Sequence, residues 1–122
     1  MLHTPLPLRG LRVLIVEDEP LVAVMLEEFV RDLGCRFVLT ASRTASALET
    51  VETVIPDIVI LDITLDGNEP DFRIADALAA RGILFMFASG YWPNVVPERH
   101  RHRPFLAKPF GIDQLAEALC RV

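Results

Sequence analysis

The stretch DIVILDITL, residues 57 to 65, limits the possible folds most: Ile58 to Leu61 form an unbroken apolar run that stops at one carboxylate, Asp62, before a turn-rich segment. A strand buried on both faces has this pattern, since neither side of it meets water. Burial on both faces belongs to a parallel sheet covered by helices, and ligands bind such sheets outside the carboxyl ends of the strands. Asp62 is therefore the first candidate for chemistry.

The remainder of the chain repeats that unit. After a Pro-bearing arm over 1–10, Leu11 to Val16 is a second apolar run and ends in Glu17, Asp18 and Glu19. Pro20 suits the first position of a helix in which Val22, Met25, Leu26, Phe29, Val30 and Leu33 share a face, with Gly34 as the stop. Arg36 to Ala41 is rich in strand formers, and Ser42 or Thr44 can cap a helix running to about Thr53, with Ala45, Leu48 and Val51 inward and Pro56 closing it. After the turn LDGNE, Pro70 opens a third predicted helix carrying Ile74, Ala77, Leu78 and Arg81, ended by Gly82. Ile83 to Ala88 is a fourth buried strand leading to Ser89; Pro93, Pro97 and Pro104 leave room only for a short or irregular helix. Phe105 to Ala107 makes a fifth strand that delivers Lys108, and Ile112, Leu115, Ala116 and Leu119 mark the closing helix. Parallel strands need right-handed crossovers, so the expected fold is α/β: a doubly wound, five-stranded parallel sheet, flavodoxin-like, over 11–122.

Composition narrows the functional classes. One domain of 122 residues with a net charge of −5 and a pI near 5.1 lacks the basic footprint of a general nucleic-acid or membrane-surface binder. No apolar run is long enough to span a bilayer, and MLHTPLPLRG lacks the apolar core of a signal peptide, so a cytoplasmic protein is expected. Cys35 and Cys120, unpatterned and flanked by apolar residues, read as small buried hydrophobes.

In a parallel sheet Glu17, Asp18, Asp62, Ser89 and Lys108 all fall on one edge. Three carboxylates about 4 Å apart at an effective dielectric near 20 would repel by roughly 4 kcal/mol per pair. One lysine cannot neutralise three acids, so a hard divalent cation, Mg2+ or else Mn2+, is expected among the oxygens. Such a site suits phosphoryl transfer, with Asp62 as nucleophile, Glu17, Asp18, Asp62 and the Thr64 backbone carbonyl as metal ligands, and Lys108 and Ser89 on phosphoryl oxygens.

With VEDEP, ILDITL, FASG and AKPF in this order on successive strand ends, the chain resembles the receiver domain of two-component response regulators over about residues 11 to 122. The run FASGYW resembles the mostly single-domain subfamily marked by Phe-Ala-Thr-Gly-Tyr. The resemblance implies strand order 2-1-3-4-5, a phosphoacceptor role for Asp62, and a histidine kinase or histidine phosphotransfer protein as donor. It also implies an unknown downstream protein as reader, a monomer or weak homodimer, and neither DNA nor membrane as partner. With Val122 directly after the last helix, no output domain is expected. Three departures stand out: Asp66 where the family usually has Pro, Ser89 for the commoner Thr, and Phe105 at the switch-aromatic position, three residues before Lys108, without a hydroxyl. Tyr91, close to Ser89, is the candidate to take over part of that switch role.

Blander assignments compete with these. The acidic turn could merely favour the next helix dipole, and Glu19 is assigned that role. Arg99 to Arg103, reading RHRHR, is expected to be a solvated basic loop, or else a docking patch for an acidic partner. Two other functions also use an aspartate after a buried strand or this same fold: a phosphatase of the haloacid-dehalogenase kind, which wants an acid where Thr64 stands, and a pseudo-receiver that is never phosphorylated.

Overall fold

The computed structural model describes residues 8–67 and 69–122. The arm expected over 1–10 lies outside the described residues up to residue 7; its last part turns back onto the domain. Leu8 is buried and donates its N–H to the Leu33 carbonyl at 3.2 Å.

Five parallel strands, β1 (Arg12–Val16), β2 (Phe37–Ala41), β3 (Ile58–Leu61), β4 (Leu84–Ser89) and β5 (Phe105–Ala107), form one sheet in the order β2-β1-β3-β4-β5. This is the expected flavodoxin-like topology. The central strand is buried at all four positions, as an apolar run covered on both sides must be. Side chains alternate between two cores. Leu14, Val16, Val59, Leu61, Phe85 and Phe87 point to one layer with the helices α2 (Thr44–Val54) and α3 (Arg73–Ala80). Val13, Ile15, Ile58, Ile60 and Met86 point to the other, covered by α1 (Pro20–Asp32) and α4 (Ile112–Cys120).

The structure corrects several local expectations. The third helix begins at Arg73, not Pro70: Asp71 bonds its N–H to the Ile63 carbonyl at 2.7 Å and its Oδ1 accepts the Arg73 N–H at 2.9 Å, so the chain stays tied to the loop after β3 before the helix can start. In α2 the inward stripe is Thr44, Ala47 and Val51, and Ala45 faces solvent. Cys35 is buried as expected, but Cys120 is exposed at the end of α4.

The fourth crossover contains no α-helix among the described residues. Pro93–Val95 and Glu98–His100 are single 3-10 turns, in keeping with three prolines that deny successive backbone donors. The basic run is a solvated loop only in part: Arg99, Arg101 and His102 are exposed, but His100 and Arg103 turn inward. His100 is buried, edge-on to Phe85 and Phe87, and its Nε2 lies 2.7 Å from Asp76 Oδ1 on α3. Arg99 grips the same carboxylate at 2.8 and 3.0 Å, while the Arg103 guanidinium sits 4.2 Å over the Phe85 ring.

The hydrogen bond from Arg99, with help from His100, lowers the Asp76 carboxyl from 3.8 to about 2. Because the folded value lies below the unfolded one, this contribution is present above 3.8 and is lost as pH falls towards 2. Urea unfolding across that window should show a steeper acid loss for the native chain than for Asp76→Asn, which has nothing to titrate there. The carboxylate is half exposed, so solvent screens the effect and it stays small.

Candidate functional site

The carboxyl ends of β1, β3, β4 and β5 meet on one edge because the strands run in parallel register: Val16 pairs with Leu61, Leu61 with Phe87, and Ser89 with Ala107. The residue following each strand is thereby delivered to a common point. The Asp62 N–H still bonds the Val16 carbonyl at 2.9 Å, and the Lys108 N–H bonds the Ser89 carbonyl at 2.9 Å, so the ladder extends one residue into the site. The Lys108–Pro109 peptide is cis.

Asp62 is 3% exposed with both oxygens engaged. Oδ2 accepts from Lys108 Nζ at 2.9 Å; Oδ1 accepts from the Thr64 N–H at 3.1 Å and the Thr64 hydroxyl at 3.0 Å. Lys108 also bonds to the Glu17 carboxylate. Burial pushes the Glu17 carboxyl up from 4.5 to about 7, against the lowering effect of Lys108. For Lys108 burial alone would lower the ammonium, but its bonds to Glu17 and Asp62 outweigh that and the net shift is upward. The lysine therefore stays charged, and Glu17 is the member of the pair that can hold a proton.

One carboxylate oxygen each from Glu17, Asp18 and Asp62 lies within 4.8 Å of the others. Two of these acids are buried and Asp18 is exposed, so the cluster opens to solvent on the Asp18 side. Three hard oxygen donors converging at a strand edge fit a small divalent cation, which keeps several waters and takes only one or two carboxylates directly.

Ser89 is fully buried and its Oγ accepts the Tyr91 N–H at 3.2 Å. Tyr91 is thus tied to the site through its backbone, with its side chain about one third exposed. Phe105 stands apart: it pairs in register with Phe87, two residues before the strand end, and its ring packs against Phe87 at 6.1 Å in the core.

The profile of the response regulator receiver domain matches residues 13–86. The chain belongs to that family. The chemotaxis protein CheY of Listeria monocytogenes is 32% identical over 89% of this chain and 95% of its own. The solution structure of SdrG from Sphingomonas melonis Fr1 is 47% identical, with a TM-score of 0.80 over 91% of this chain and 94% of that one. The BeF3-activated conformation of SdrG from Pseudomonas melonis Fr1 is 44% identical, with a TM-score of 0.78 over 98% of both chains. No described helix is long and apolar enough to cross a membrane.

Two contributions to this receiver domain's site were not read from the sequence. The Thr64 hydroxyl bonds Asp62 beside the Thr64 N–H, on an Asx turn that an aspartate two residues earlier could have signalled. Asp66, noted only as a missing proline, lies against the amino end of α2, its oxygens 3.2 and 3.4 Å from the Thr44 N–H. The loop after Asp62 is thereby fastened to a helix on the far side of the acidic cluster, where a carboxylate suits the helix dipole.

Proposed function

We propose that this receiver domain is a phosphoacceptor switch in which Asp62 takes a phosphoryl group from a histidine kinase or histidine phosphotransfer protein. The observation that carries this reading is the Asp62 carboxylate, buried at the strand end, with Lys108 on one oxygen, Thr64 on the other and two further acids beside it. An Asp62 oxygen attacks phosphorus; the bond to the donor imidazole breaks, and the leaving nitrogen keeps the electron pair and is protonated. Lys108 moves from the carboxylate to a phosphoryl oxygen, and Ser89, whose Oγ accepts the Tyr91 N–H, donates its hydroxyl hydrogen to another. Glu17, Asp18, Asp62 and the Thr64 carbonyl would hold Mg2+, which when bound supplies positive charge for the transferring group. Glu17 would have to be deprotonated to serve as a ligand.

The readout follows from Ser89. Drawing its Oγ towards phosphate weakens the bond from the Tyr91 N–H and biases the 90–105 segment towards a second arrangement that a downstream protein recognises. That SdrG, a similar chain, has a BeF3-activated conformation supports a switch with an activated state. The FASGYW run adds the Phe-Ala-Thr-Gly-Tyr subfamily to the proposal. A dehalogenase-type phosphatase would need an acid at Thr64, whose hydroxyl instead donates to Asp62; a pseudo-receiver would not be expected to keep the acids, the aspartate and the lysine together.

Acetyl phosphate with Mg2+ tests the proposal by intact mass. The expected result is one added phosphoryl group, labile to hydroxylamine and absent in Asp62→Asn. An unmodified chain would favour the pseudo-receiver, and sustained hydrolysis of phosphate esters would favour the phosphatase.

A further inference from the structure

The opposite edge of the sheet carries a feature that phosphoryl transfer does not use. Between the starts of β1 and β2 and the carboxyl end of α1 lies a cavity of about 650 Å3, and four arginines line it: Arg9, Arg12, Arg31 and Arg36. They are four of the eleven arginines in a chain of net charge −5, and no acidic residue lines the cavity with them. The volume falls in the range of small-ligand pockets, about 300–1,000 Å3.

The charge there is poorly compensated. Arg9 and Arg36 form no ion pair among the described residues. Arg31 reaches Glu27 at 3.6 Å, with both side chains more than a third exposed. One Arg12 guanidinium nitrogen donates to the Val54 carbonyl at 3.0 Å, and the nearby Asp57 carboxylate accepts the Arg12 backbone N–H, not its side chain. Counting Glu27 and Asp57 against the four still leaves two positive charges in surplus, of which the dipole of α1 offsets about half a charge. Residues 1–7, which lead into Arg9, contain no acid to make up the difference. Guanidinium forks match phosphate oxygens two at a time, and several gathered round one cavity favour an anion with several phosphate groups over a single carboxylate. Phe37, about half exposed on the same rim with the Arg12 guanidinium 6.0 Å from its ring centroid, adds an aromatic surface beside them.

We propose that this arginine-lined cavity binds an oligophosphate anion, either free or carried by a nucleotide, independently of Asp62. Calorimetric titration in EDTA with tripolyphosphate, ATP and adenosine tests it, using the native chain and the double variant Arg9→Ala, Arg36→Ala, whose side chains hold nothing else in place. Saturable binding of tripolyphosphate or ATP, weakened roughly tenfold or more in the double variant, is the expected result. Equal affinity for the two ligands assigns the site to the phosphate chain alone; tighter ATP binding assigns a share to the base on Phe37. Absence of saturable binding by both, affinity unchanged in the double variant, or adenosine binding as well as ATP would overturn the proposal. Labelling of Asp62 by acetyl phosphate stays at the native level in the double variant, so failure here is separable from failure of the phosphoacceptor assignment.

Discussion

Lys108→Met lowers stability by about 3–5 kcal/mol above pH 7, because it leaves Glu17 and Asp62 as two buried carboxylates with their shared cation removed. The loss should depend on pH in a defined direction. The native value of Glu17, about 7, exceeds its unfolded value of 4.5, so between these the folded state holds a proton that the unfolded chain does not. That contribution is complete below 4.5 and is lost as pH rises through about 7. Removing the lysine takes away the largest influence lowering the Glu17 value, so the variant falls further behind as pH rises. Urea unfolding in EDTA on either side of the window measures this, and added Mg2+ should recover part of the deficit by replacing the missing positive charge. A deficit of equal size at all pH values would contradict the pairing. Phosphorylation by acetyl phosphate should slow by roughly 100-fold or more, the cost of losing one preorganised donor to the transferring group.

Phe87→Ala should destabilise by about 4 kcal/mol, the usual cost of truncating a fully buried ring. Phe87 meets Phe72 at 6.1 Å and Phe85 at 5.6 Å edge to face, His100 at 6.3 Å, and Phe105 at 6.1 Å. One side chain thus joins the entry to α3, the crossover turns and the last strand. Each aromatic pair adds about 0.5–1.5 kcal/mol beyond burial, so the loss is not confined to a cavity. Urea unfolding gives the total, and amide exchange gives its distribution: protection over 93–107 should fall more than in α1, which packs on the other face. Phe87→Leu, closer in volume, should cost about 1.5 kcal/mol and leave that pattern largely intact. Uniform loss of protection across both layers would argue that the ring acts only as bulk.

The strand ends were legible because each depends on a purely local sign, an apolar run meeting a polar residue. Asp62, Glu17 and Lys108 needed nothing more than the parallel topology to be brought together. What stayed hidden depended on partners distant in sequence. His100 sits in a run of basic residues and is buried only because Asp76, 24 positions earlier, and the rings of β4 receive it. Pro70 is a fair sign of a helix start, but the bond from Asp71 to Ile63 overrides it. Beginning α2 at Thr44 turns Thr44 and Ala47, not Ala45, inward beside Leu48 and Val51, a choice that spacing alone does not settle. Cys120 shows the same limit: its neighbours are apolar, yet the last turn of α4 leaves it in water.

The crossover built of two isolated turns has a thermodynamic consequence. A continuous helix resists partial melting because each added bond rests on a nucleus already formed. Here Val96 bonds Pro93 at 3.1 Å and His100 bonds Pro97 at 2.9 Å, with no ladder to link the two turns. The two turns can therefore rearrange without breaking a helix, at a cost set by the side chains that anchor them, His100 on Asp76 and Arg101 on the Val96 carbonyl. Moving such an element from 1:99 to 99:1 takes about 5.5 kcal/mol of differential binding, a sum within reach of a few charge-assisted hydrogen bonds at the strand edge. In the proposed switch, this weakly cooperative connector would be the part of the fold that a single covalent event at Asp62 has enough free energy to reset.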